Sequence, residues 1–134
     1  MTSQPPSAEF VDPCDRVQVA AVFTAVLKAW GIDGVGDLLG RLPGVRLSAG
    51  ERRRRFRAAT PATVTIGSEN QLVLAEPPEH LHVVGGVVLS RRALPPGELP
   101  VLLADLVTRL TREQASYDDS AAALTAAREV LDAG

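Results

Sequence analysis

The sequence predicts an α+β domain: a small antiparallel sheet of three to four strands over about residues 62–91, with N-terminal helices before it and two C-terminal helices packed on it. Three observations carry this. Apolar residues recur at helical spacing before Gly31 and again after Pro96. Between them the pattern changes to period two, the mark of strands. A Gly85-Gly86 pair then separates Val83-Val84 from Val87-Val88, a hairpin signature. Helices, then strands, then helices, with no βαβ alternation, argue for α+β rather than a parallel sheet.

Residues 1–13 are polar and proline-rich, and are expected to form a disordered tail ahead of a single domain over residues 14–134. The first helix is expected to open at Asp12 or Asp15, either of which can cap it. Val19, Val22, Phe23, Val26, Leu27 and Trp30 form its apolar stripe, with Trp30 placed in the core, and Gly31 ends it. The stretch GIDGVGDLLGRLPGV is rich in glycine. It follows a helix rather than a strand and lacks the G-x-G-x-x-G spacing of a phosphate loop, so it reads as a short helix from Val35 to Leu42. Ser48 and Glu51 have the spacing of a capping box, predicting a helix over SAGERRRRFRAA with Phe56 as its anchor.

ATVTIG and QLVLAE alternate as strands, joined by a turn at Ser68-Glu69-Asn70. The twin glycines then make a hairpin of His80 to Arg91, because a type I′ turn needs φ > 0 at both central residues. Uninterrupted pairing sets Val84 against Val87, His82 against Leu89 and His80 against Arg91, all six on one face. Leu81, Val83, Val88 and Ser90 take the other face. A bulge at the glycines within one long strand is the competing reading. The apolar surface of this ribbon is expected to be the platform for the helices. After Leu94-Pro95-Pro96-Gly97, a helix opening at Gly97 or Glu98 carries Leu99, Leu102, Leu103, Leu106, Val107 and Leu110 along one face. A last helix is capped by Asp119 or Ser120 and shows Leu124, Ala127 and Leu131.

The formal net charge is −2, which excludes a strongly basic protein. The charge is uneven: Arg46 to Arg57 holds six Arg and one Glu, a local +5, so the rest carries −2 − 5 = −7. Lys28 is the single lysine. This arginine bias, with much Ala, Val, Gly and Pro, fits the codon usage of a GC-rich bacterial genome. Aromatics at 4% argue against a base-stacking surface. One cysteine, Cys14, allows neither an internal disulfide nor a zinc cluster. The N-terminus has no signal-peptide pattern and no apolar run approaches bilayer-spanning length, so a cytoplasmic protein without membrane contact is expected.

Two constellations are candidates for function. Arg52, Arg53, Arg54, Arg55 and Arg57 make a dense cationic run that can grip carboxylates or phosphates in two-pronged fashion. It points to an anion or an acidic protein partner. Nucleic acid fits less well, because no groove-entering motif accompanies the run. The bland alternative is a solvated helix paired with surplus carboxylates. His80 and His82, the only histidines, are two apart on a strand and project to one side, where both rings can reach a divalent transition metal. Glu79 or Glu76 is the oxygen donor on offer. No further His or Cys completes a ligand set, and a pair of half-exposed strand residues is the plain alternative. Cys14 at a helix start would have a lowered pKa, but no cysteine-enzyme signature surrounds it. No G-x-S-x-G nucleophile elbow occurs. The expected function is therefore a non-enzymatic protein-interaction or accessory module acting as a homodimer, a way of covering the open edges of so small a sheet. The alternatives are a ligand- or metal-binding protein or enzyme using His80 and His82 in a helix–sheet pocket, and nucleic-acid or anion binding through Arg52–Arg57.

Overall fold

The computed structural model describes residues 12–48, 61–95 and 97–133. Of the expected tail over residues 1–13, residues 1–11 lie outside the described residues, as does the expected helix over 48–59 apart from Ser48. Eight elements follow in order: α1 (Arg16–Leu39), β1 (Val45–Ser48), β2 (Thr63–Ile66), β3 (Asn70–Val73), β4 (Glu79–Val84), β5 (Val87–Ala93), α2 (Glu98–Glu113) and α3 (Tyr117–Ala133). The fold is α+β, with one antiparallel sheet in the order β1-β2-β3-β4-β5. Among the described residues the sheet has five strands rather than three or four. The added one, VRLS at β1, pairs Val45 with Ile66 and Ser48 with Thr63. It shows no buried alternation, since all but Val45 is exposed, so its strand state comes from pairing with β2 and from Val45 packing against the core.

α1 opens at Asp15, whose side chain accepts from the Val17 N–H at 3.0 Å. Asp12 Oδ1 accepts from the Cys14 N–H at 2.9 Å. Val19, Val22, Phe23 and Val26 are buried, as the stripe predicts. Trp30 is not: it is 43% exposed. Gly31, whose φ of 73° and ψ of −167° break the helix, follows it directly, so Trp30 is the last residue before the chain turns. That backbone region is open essentially to glycine alone. Helix resumes at Ile32 and runs to Leu39, covering much of the short helix expected after it. α1 is long and apolar enough by length and composition to cross a membrane. Four residues of its stripe, Val19, Val22, Phe23 and Val26, are however buried inside the protein.

One core joins helices and sheet. It takes Phe23, Val26, Val35 and Leu39 from α1, Val64, Ile66 and Leu72 from β2 and β3, Leu103 and Val107 from α2, and Leu124 from α3. Each such side chain contributes about 1.5–3 kcal/mol when buried. β2 follows the period-two rule, with Val64 and Ile66 inward and Thr63 and Thr65 half-exposed. The helices therefore rest on the β1–β3 side of the sheet. The Gly-Gly ribbon is not their platform: β5 is exposed along its whole length, and Leu81 and Val83 of β4, although buried, lie outside this core.

α2 begins at Glu98 with Pro100 in its first turn, and its stripe is buried as expected except for Leu102, which is half-buried. α3 begins at Tyr117, earlier than Asp119 or Ser120. Ser120 is no cap. It is 2% exposed, and its Oγ accepts from Thr111 Oγ1 at 3.1 Å across the α2–α3 junction.

Candidate functional site

The β4–β5 ribbon carries the residues that sequence reasoning singled out. Gly85 and Gly86 have φ of 59° and 83°, as a type I′ turn requires, and Val84 pairs with Val87. The pairing then slips. Val83 faces Val88, but His82 faces Ser90 and His80 faces Arg92, with a bulge between His82 and Val83. The extra residue on β5 shifts everything beyond it by one. Ser90 and Arg92 join the histidine face and Arg91 joins the Leu81 face, the reverse of uninterrupted pairing. Arg91 donates from Nε to Glu79 Oε1 at 2.7 Å there. Glu79 is thus turned away from the two histidines rather than offered as their third ligand.

His80 and His82 do share a face. Their cross-strand partners are Leu72 and Asn70, so they stand on the helix-packed side, half-buried at the ribbon end of the sheet. The Nε2 of each ring is already engaged. His80 Nε2 lies 2.9 Å from Asn70 Oδ1, and His82 Nε2 lies 3.3 Å from Glu69 Oε1 in the β2–β3 turn. Burial, with Arg92 and His82 nearby, holds the His80 pKa below its usual value. Arg92 in turn donates to Glu98 Oε1 at 2.8 Å, tying the ribbon to the start of α2. Among the described residues, no group of three or more His, Cys, Asp or Glu side chains is placed to hold a metal ion.

Cys14 is buried at 6% beside the start of α3, its Sγ 3.9 Å from the Tyr117 carbonyl oxygen. Burial, with Asp12 adding to it, pushes the thiol up to about 11, opposite to an activated thiol at a helix start. The Tyr117 hydroxyl donates to Asp12 Oδ1 at 2.8 Å, which raises the phenol to about 12. The Arg52–Arg57 run lies outside the described residues.

Two features were not anticipated from sequence. The first is a pair of cavities flanking the α1 break. One, of about 280 Å³, is lined by Trp30, Asp33, Asp37, Arg41 and Val130 among others. The other, of about 320 Å³, is lined by Leu27, Gly31, Pro77, Pro78, Leu94 and Leu99 among others. The second is an aliphatic cluster left bare on the ribbon: Val84 at 43% exposure, Val87 at 60%, Val88 at 50% and Leu89 at 59%. Its sequence signal, a β-branched run around Gly-Gly, was visible. Which strand of the meander would be the outermost was not. In comparisons with known proteins, no family model, no curated protein and no solved structure matches the chain, so its own geometry is what bears on function.

Proposed function

We propose that this chain is a non-enzymatic protein-interaction module that acts as a homodimer, with the β4–β5 ribbon as its contact surface. One observation carries the reading. β5 is an outermost strand with all seven residues exposed, and its first three are aliphatic. An open edge offers unpaired backbone N–H and C=O groups, and soluble proteins blunt such edges or cover them. Four neighbouring bare aliphatics mark this edge as one to be covered. The Arg52–Arg57 run is the proposed second contact, for an acidic partner. Sedimentation velocity over a range of protein concentrations tests the dimer. Wild type is expected to self-associate, and Val88→Glu to remain monomeric with an unchanged far-UV spectrum. A wild-type chain that stays monomeric at every concentration overturns the reading.

A further inference from the structure

We infer that two copies join through β5 in one register, with Val88 set against its own copy across a two-fold axis; this rests on the homodimer reading above. Two identical edge strands pair antiparallel about an axis perpendicular to the sheet. Such an axis keeps each side chain on its own face, so the central residue must oppose itself. Centres on Arg91 or Arg92 would set a guanidinium against its own copy, which leaves registers centred on Val88, Leu89 or Ser90.

Charge and apolar content separate them. A centre at Ser90 sets Leu89 against Arg91 and Val88 against Arg92, crowding four guanidiniums around the axis. A centre at Leu89 sets Val87 against Arg91. A centre at Val88 sets Val87 against Leu89 on both sides, so all three exposed aliphatics of each strand meet aliphatics. Cross-strand aliphatic pairs stabilise a sheet, and like charges opposite one another destabilise it. In that register Arg91 falls beside the partner's glycine turn. Arg91 and Arg92 also keep their own carboxylates, Glu79 at 2.7 Å and Glu98 at 2.8 Å.

The bulge supports the same choice. It separates Val87 and Val88, which pair regularly with Val84 and Val83, from Ser90 to Ala93, which pair one residue out of step. A bulge bends its strand and increases its twist, so the half beyond it diverges from a straight neighbour. Pairing is confined to the aliphatic half.

Directly opposed strand residues have Cα atoms within disulfide range. Single-cysteine variants of the full chain, with buried Cys14 retained, therefore read the register under mild oxidation. Val88→Cys is expected to give a covalent dimer in several-fold higher yield than Leu89→Cys, Ser90→Cys or Arg92→Cys. A higher yield from Leu89→Cys or Ser90→Cys overturns the register while leaving the dimer standing. A sedimenting dimer that none of the four variants traps overturns pairing through β5. Sedimentation of the wild type as a monomer removes the homodimer reading itself.

Discussion

Gly34 sits against Trp30 across the break in α1. A Cβ built on Gly34 would lie 2.4 Å from Trp30 Cβ and 3.3 Å from Val26 Cγ1. The close approach follows from the Gly31 backbone, which folds the two halves of α1 onto one another. Gly34→Ala has no flexible atom to push aside, so overpacking should cost about 1–3 kcal/mol. Gly31→Ala meets nothing within 4 Å, and its cost should be backbone strain alone, about 1–3 kcal/mol. Urea unfolding followed by Trp30, the single tryptophan, measures both. Wild-type stability in Gly34→Ala would contradict the break.

Acid should weaken the fold through His80. Burial first, then Arg92 and His82, disfavour its charged form and lower its pKa from the usual 6.5. A base held neutral in the native state binds its proton more readily once unfolded, so acid favours the unfolded chain. Its contribution is complete above 6.5 and is lost as pH falls from there through the native pKa. The urea midpoint of wild type should therefore drop more than that of His80→Gln on going from about pH 7 to about pH 5. Parallel pH profiles for the two would refute the assignment.

Cys14 should be slow to react. With its thiol near 11 and its side chain buried, little thiolate is present at neutral pH, and reagents lack access. Labelling by a thiol reagent at neutral pH should be far slower in the folded chain than in denaturant. Equal rates would show that the packing of Cys14 against the start of α3 is wrong.

Two leucines on adjacent sides of the fold should behave oppositely. Leu72 is fully buried between the helices and the sheet, and Leu72→Ala should destabilise by about 2–5 kcal/mol. Leu89 is 59% exposed, and Leu89→Ala should change monomer stability by less than about 0.5 kcal/mol. Its effect belongs instead in the concentration dependence of sedimentation. A large loss of monomer stability in Leu89→Ala would place that residue in a core of its own.

The elements that could be read from sequence are those whose pattern has a local cause. The α2 stripe, the alternation of β2 and the glycine turn each follow from spacing within a few residues. β1 could not be read this way, because four mostly exposed residues form a strand only when β2 is beside them. The bulge also escaped: nothing in VVLSRR announces that Leu89 is extra, and one residue was enough to exchange Ser90 for Leu89 opposite His82. Trp30 was misplaced for a related reason. Its spacing continues the α1 stripe, but the helix breaks at Gly31 and Trp30, at the end of that first half, is left 43% exposed. Of the candidate site, the shared face of His80 and His82 was legible from period two. Their engagement by Asn70 and Glu69 was not, since it depends on the strand register and on the turn between β2 and β3.

From β2 to β5 each strand follows its neighbour after a short connection, so that part of the sheet needs only local closure. The helical layer is different. Arg128 of α3 reaches Gln18 of α1 at 2.6 Å, and Cys14 meets Tyr117, so its contacts join the two ends of the chain. Closing so long a loop carries a larger entropic cost. The strands are thus expected to gain amide protection before α1 and α3 during refolding, an order that pulse-labelled hydrogen exchange would reveal and that simultaneous protection would refute.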